Sequence, residues 1–275
     1  MLEKILLPTD LSNESNSIFP LAVTLAQAFG SRLYLMHVMH PDSLKQPERL
    51  VDFPRLSQFF ESERDAPDLP PLKSKVPVAK VYRYSSSPAE EVLEFARHKD
   101  VELLCFATTP GTRSLKRWLR GATAEKFLRH APCSILCMRG QPIKQKDWRR
   151  PRLKHILLLT ELGAHGAAPL LRALPFAHAF NSMLHIFPML LADSNPSPEA
   201  NPLREIAKIN PQQTNVLLFA DPTRQRRNLM QFLGRNQVDL IIMPPRARRE
   251  LSVPFFSDIV ERLLEEIDSP ILLLH

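Results

Sequence analysis

Two kinds of apolar pattern alternate along this chain. "ILLP", "LYLMHV", "ELLCFA" and "SILCM" are continuous apolar runs of four to six residues. That length suits strands, and apolarity on both faces suits a parallel sheet covered by helices. Between them the period changes to that of a helix. "SIFPLAVTLAQAFG" places Ile18, Leu21, Ala22, Leu25 and Phe29 on one stripe and stops at Gly30. "SPAEEVLEFARHKD" offers Ser87 as N-cap, Pro88 in the first turn and Glu90 three residues after the cap, the pattern of a capping box. Strands alternating with helices predict a doubly wound α/β sheet with right-handed crossovers.

The pattern occurs twice. "EKILLPTDLS" is matched by "LKHILLLTEL", so that Thr9-Asp10 corresponds to Thr160-Glu161. "SRLYLMHVMHP" is matched by "NSMLHIFPML". "KVYRYSSSPAEEVLEFARHKDVELLCFA" and "NVLLFADPTRQRRNLMQFLGRNQVDLIIMPP" both read strand, turn, proline, amphipathic helix, short turn, acid, strand, with Asp221-Pro222 repeating the cap and proline. "AEKFLRHAPCSILCMR" is matched by "IVERLLEEIDSPILLLH". Two homologous domains are therefore expected, 1–144 and 152–275, with the boundary in the polar, basic "QPIKQKDWRRPR". Each ends in an apolar strand. Pairing Ser134–Met138 beside Pro270–Leu274 would cover two open sheet edges and give a pseudo-dimer. Residues 41–75 carry prolines at 41, 47, 54, 67, 70 and 71 and read as a proline-rich loop around one helix, "LVDFPRLSQFFESER", with Leu56, Phe59 and Phe60 inward.

Composition narrows the classes. At 275 residues, 44% hydrophobic and 24% charged, the chain suits two globular domains. No window approaches the roughly 18 apolar residues of a membrane span, and "MLEKILLPTD" lacks the basic start of a signal peptide. Cys105, Cys133 and Cys137 form no CxxC pair, which points to packing residues in a reducing cytoplasm. The net charge of +7 is uneven: residues 1–150 hold 23 Lys/Arg against 17 Asp/Glu, and residues 151–275 hold 13 against 12. The first half is the better partner for an anion.

Glycine is scarce, 7 in all, yet two of the seven flank the basic run in "TTPGTRSLKRWLRGATAEKFLRHA". In a doubly wound sheet the ligand crevice lies beyond the carboxyl ends of the strands. Thr9-Asp10 and this loop both map there. Gly111 allows main-chain N–H groups to converge on an anion. Gly121 precedes Ala122-Thr123 at a helix start, where phosphate is favoured. Arg113, Lys116, Arg117 and Arg120 supply charge, and Thr108, Thr109, Thr112, Ser114 and Thr123 supply hydroxyls. Neither a Walker A loop nor GxGxxG is present.

These residues resemble the universal stress protein family, whose mark is an Asp ending the first strand and, later, G-x2-G-x9-G-[ST]. Asp10 matches the aspartate, and Gly111 and Gly121 match the second and third glycines at the nine-residue spacing. The first glycine falls on Thr108, or on Ala107 with a one-residue insertion, and the final Ser/Thr is Ala122 with Thr123 adjacent. The second copy, "MPPRARRELSVPFFSDIVERLL", has no glycine; Pro244 and Pro245 lack N–H groups, and Glu161 replaces Asp10. The resemblance implies Rossmann-like, adenine nucleotide alpha hydrolase-like domains. It implies ATP or AMP in the first domain, with Mg2+ admissible beside it. Thr9 and Asp10 would meet the adenosine, the backbone at His37, Val38 and Met39 the adenine edge, and Ala107, Thr108, Gly111, Arg113, Gly121, Ala122 and Thr123 the phosphates. It further implies a stress-response regulator rather than an enzyme, with protein partners unidentified and further homodimerisation open.

Two other readings stand beside this one. A ligand-free tandem scaffold would act through protein contacts. A nucleic-acid binder would use Arg224, Arg226, Arg227, Arg246, Arg248 and Arg249, although aromatics, at 7%, are not interleaved with them. No HExxH, no GxSxG and no carboxylate partner for Asp10 occurs, so slow ATP hydrolysis has no assigned base. His37 and His40 stand at a strand end, and His185 reads as a sheet residue.

Overall fold

The computed structural model describes residues 2–42, 76–108, 122–141, 144, 149–161, 167–189, 214–217, 224–243 and 267–275. All of the expected 41–75 loop and helix beyond residue 42, the cap at Asp221-Pro222 and Pro244-Pro245 lie outside them. The chain divides into two compact units, the first running to Pro151 and the second starting at Arg152, with Ser269–His275 in the second.

The first unit contains β1 (Lys4–Pro8), β2 (Arg32–Met39), β3 (Val78–Tyr84), β4 (Leu103–Thr108) and β5 (Ser134–Arg139). All pair in parallel, in the order β3-β2-β1-β4-β5. Its helices are the single turn α1 (Asn13–Asn16), α2 (Phe19–Phe29), α3 (Pro88–His98) and α4 (Ala122–His130). The second unit contains β6 (His155–Glu161), β7 (Met183–Met189), β8 (Thr214–Val216), β9 (Leu240–Met243) and β10 (Ile271–Leu273), with α5 (Ala167–Phe180) and α6 (Gln225–Arg235). Its parallel order, β8-β7-β6-β9-β10, repeats that of the first.

Both central strands are deeply buried. Ile5, Leu6 and Leu7 of β1, and Ile156 to Leu159 of β6, are fully inaccessible. Each such side chain contributes roughly 1.5–3 kcal/mol on burial, which is why these runs are apolar on both faces. α2 differs from its expected stripe: Phe19 through Ala26 are all buried, so the helix is enclosed nearly all round. It ends as expected at Gly30, in the left-handed conformation (φ 68°), with the Ser31 N–H donating to Ala26. Asn181 ends α5 in the same way at φ 49°, and Ser182 N–H donates to Ala177.

The capping box at α3 is not made. Ser87 caps without a side-chain bond to the helix backbone, its own N–H donates to the Ser85 hydroxyl at 3.0 Å, and Glu90 pairs with Lys126 of α4 at 2.6 Å. The serine two residues earlier takes the N–H that the box would have given to Glu90. The three cysteines are free and buried. Burial pushes the Cys105 thiol well up and that of Cys137 to about 12, so neither ionises at neutral pH.

The acid before the fourth strand has a definite task. The Glu102 carboxylate accepts the main-chain N–H groups of Glu3 and Lys4, the latter at 3.1 Å, while Glu102 N–H donates to Lys4 C=O at 3.1 Å. Asp239 does the same in the second unit, accepting from Lys154 and His155 at 2.7 and 2.9 Å and donating its N–H to His155 C=O at 2.8 Å. Replacing Glu102 by Ala should cost about 1 kcal/mol, read by chemical denaturation, with faster amide exchange at Glu3 and Lys4. Unchanged exchange there would deny the carboxylate this role.

Candidate functional site

The strand order fixes where a ligand can sit. From β1 the chain steps to β2 on one side and later to β4 on the other, so a crevice opens beyond the carboxyl ends of β1 and β4. Thr9 and Asp10 leave β1 at this rim. Ala107 and Thr108 end β4, and His37, Val38 and Met39 end β2, half-buried. Gly111, Arg113 and Gly121, with the rest of 109–121, lie outside the described residues. Ala122 opens α4, and Thr123 stands exposed in its first turn.

Thr9 is the buried hub of the rim. Its N–H donates to Met36 C=O at 2.9 Å, holding it against β2. Its hydroxyl accepts from Leu11 N–H at 2.9 Å, donates to Asn16 Oδ1 at 2.6 Å and lies 2.9 Å from the Ser15 hydroxyl. Leu11 adopts φ 70°, a left-handed conformation costly for a branched side chain, and its bond to Thr9 is one of the contacts that hold it. The Thr9 carbonyl accepts from His37 Nδ1 at 2.8 Å. A carbonyl can only accept, so His37 donates from Nδ1 and, when neutral, keeps Nε2 as an acceptor.

Asp10 closes a tight turn beside it. Its Oδ1 accepts both the Ser12 N–H at 2.9 Å and the Ser12 hydroxyl at 2.6 Å. Partial burial alone would raise its pKa. The Ser12 and Ser15 hydroxyls and the Ser12 N–H outweigh that and hold it below the ordinary carboxylate value. Asp10 is thus an ionised acceptor at neutral pH on an exposed residue of the crevice rim.

Three contributors were not singled out from the sequence. Ser12 and Ser15 stand in "DLSNESNS", whose density of small hydroxyl and amide residues directly after Asp10 is the signal for such a turn. The third is Gly140. Its N–H donates to Thr108 C=O at 2.8 Å, and an added Cβ would fall 2.2 Å from Thr108 O and 3.0 Å from Glu14 O. The next residue, Gln141, donates its N–H to the Ser17 hydroxyl at 3.3 Å. The end of β4, the exit of β5 and the α1 turn therefore converge on a point that only glycine fits.

The second unit's rim differs. The register aligns Lys4 with His155 and Arg32 with Met183, which puts Thr160 in the place of Thr9, Glu161 in that of Asp10 and Pro188 in that of His37. Pro188 has neither an N–H nor a ring donor to brace Thr160. Among the described residues, β8 pairs with β7 as far as Val216 opposite Ile186, and β3 with β2 as far as Tyr84 opposite Met39.

A parallel α/β sheet of this order, with its rim at a topological switch point, defines the class as Rossmann-like. The sequence profile of the universal stress protein family matches residues 1–139, and the chain belongs to that family. It is 26% identical over 146 residues to a universal stress protein of Methanocaldococcus jannaschii, a match spanning 50% of this chain and 83% of that one. Among solved structures it is similar to a universal stress protein from Archaeoglobus fulgidus (TM-score 0.61, 14% identity, 100% of this chain and 96% of that one). It is similarly close to a putative universal stress protein from Pseudomonas aeruginosa (TM-score 0.62, 15% identity, 99% and 93%). Among the described residues no helix is long and apolar enough to cross a membrane.

Gly140→Ala should destabilise the first unit by about 1–3 kcal/mol, the usual cost of forcing an atom into a packed site. Denaturation followed by a probe in each unit checks this. Equal loss in both units, or none, would contradict the convergence described for Gly140.

Proposed function

We propose that the first unit binds an adenine nucleotide of the ATP or AMP type at this rim, and that the protein works as a nucleotide-responsive stress regulator of the cytoplasm. The observation that carries the reading is the fixed, ionised Asp10 at the switch point, with its turn locked by Ser12 and Thr9. A carboxylate held in one geometry is preorganised to accept hydrogen bonds from ribose hydroxyls or an adenine amino group. His37, Val38 and Met39 bring main-chain groups to the same rim, and Gly121 directly precedes α4, a helix start of the kind that favours phosphate. Gly111, Arg113, Gly121 and Thr123 complete the phosphate side on the strength of the sequence pattern. Mg2+ would sit beside the phosphates.

The reading is of a binding module rather than an efficient enzyme. Asp10 commits Oδ1 to Ser12, and His37 commits Nδ1 to the Thr9 carbonyl instead of to a carboxylate that would make it a stronger base. The second unit serves as a scaffold: Pro188 removes the brace, Glu161 is one methylene longer than Asp10, and the loop after β9 has no glycine.

Calorimetric titration with ATP and AMP tests this. Asp10→Ala should weaken binding by about 1–3 kcal/mol, the cost of leaving a partner unsatisfied. Gly121→Val should weaken it by placing a branched side chain where phosphate approaches. Unchanged affinity in both folded variants would remove this rim from consideration.

A further inference from the structure

We infer that β3 carries a binding surface for single-stranded nucleic acid, on which Tyr82 and Tyr84 stack successive bases and Lys80 meets an adjoining phosphate. The surface begins in the sequence. Between Asp68 and Glu90 the chain has Lys73, Lys75, Lys80 and Arg83 and no acid. Within that stretch "KVYRY" interleaves cations with aromatic rings, which the arginine clusters of the second half do not. In β3 the row gains a direction. Lys80, Tyr82 and Tyr84 stand two residues apart, so they share one face of the strand, and all three are exposed. Among the described residues the exposed large apolar side chains are Tyr82 (42%), Tyr84 (48%) and Leu171 (60%), so two of them lie in this row. The register sets Tyr82 beside His37 and Tyr84 beside Met39, both half-buried on β2.

The spacing suits a drawn-out single strand. Alternate residues of a β-strand lie roughly 6.6 Å apart. Bases stacked on one another rise about 3.4 Å each along their strand, and a base that meets a ring of its own needs about twice that. Every base has a face to lay on a ring, so such a surface tolerates sequence. It favours single strands over duplexes, whose bases are already stacked. The excess of 23 Lys/Arg over 17 Asp/Glu in residues 1–150 favours a polyanion as the partner.

The edge of β3 is closed to the other common occupant, a second strand. Leu33 N–H donates to Pro77 C=O and Ser85 N–H to Met39 C=O, so odd-numbered residues here turn their main-chain groups to β2 and even-numbered ones turn theirs outward. The outward Tyr82 carbonyl accepts from the Arg83 guanidinium at 3.3 Å. Glu91 holds Arg83 Nε at 3.4 Å, and the guanidinium lies 5.9 Å from the Phe95 ring centre. A clamped cation across the edge opposes strand pairing and leaves the row of side chains as the surface a partner meets. The shared frame does not require that row. The registers align Val216 with Lys80, and the same alignment continued along the sequence sets Leu218 and Ala220 against Tyr82 and Tyr84.

Fluorescence anisotropy of a labelled oligothymidylate of about 12 nucleotides, titrated with the full chain, tests the surface. Tyr82→Ala and Tyr84→Ala should each weaken binding about tenfold, the worth of one stacked base, while Tyr84→Phe keeps the ring and binds as wild type does. Lys80→Ala should lower the slope of log affinity against log salt by about 0.7. Wild-type affinity in both alanine variants would put the binding on other cations and overturns the proposal. So does a duplex bound as tightly as the single strand, or no binding by the wild type at about 50 mM salt. Self-association that both alanine variants abolish, with no oligonucleotide bound, would give the row to a second copy of this chain and also overturns it. Should an alanine variant fail to fold, the ring protons of Tyr82 and Tyr84 in the wild type decide by NMR. Upfield displacement of both on adding the oligothymidylate supports stacking, and no displacement overturns it.

Discussion

One carboxylate per unit sets the register of the central strand pair, and the rim above it depends on that register. Glu102 and Asp239 each take two main-chain N–H groups at the start of the first strand and return their own N–H to its carbonyl. A one-residue slip of β1 against β4 would turn every side chain to the other face. It would also carry Thr9 away from Met36 and His37. A clamp at the amino ends thus determines, a strand length away, which groups meet at the carboxyl ends.

The same frame, used twice, has been put to different ends. The left-handed helix stops at Gly30 and Asn181 correspond, and so do the serines Ser31 and Ser182, whose hydroxyls tie the start of β2 and β7 to Leu2 and Leu153. These groups serve the sheet, and either unit needs them. The differences fall where they leave the sheet intact. At the carboxyl rim the first unit keeps Asp10 and His37 and the second has Glu161 and Pro188. At the other end the second unit places His155, His185 and Asn215 in contact where the first has Lys4, Tyr34 and Ala79.

Much of this frame was legible in the sequence because it rests on local chemistry. Short runs apolar on both faces gave buried parallel strands, and Gly30 gave a helix stop. The repeat placed an acid before the fourth strand in each half, although its partners became visible only with β1 and β4 side by side. What was not legible depends on residues far apart in the chain. Glu90 pairs with Lys126, 36 positions on. Gly140 is required by Thr108 and Glu14, and His185 meets partners 30 positions away on either side. Such pairs follow from register, which no window of sequence contains. At the site, Thr9 and Asp10 were recognisable as the end of a strand, whereas the serine turn that fixes the Asp10 carboxylate emerged only from the geometry.

The central claim is that one rim binds a nucleotide and its counterpart does not. Titrating isotopically labelled full-length protein with ATP, and following its main-chain resonances, tests this most directly. The account predicts saturation at one nucleotide per chain, with shifts at Thr9, Asp10, His37 and Thr108 and none at Thr160, Glu161 or Phe187. Shifts at both rims with two nucleotides per chain, or at neither, would contradict it.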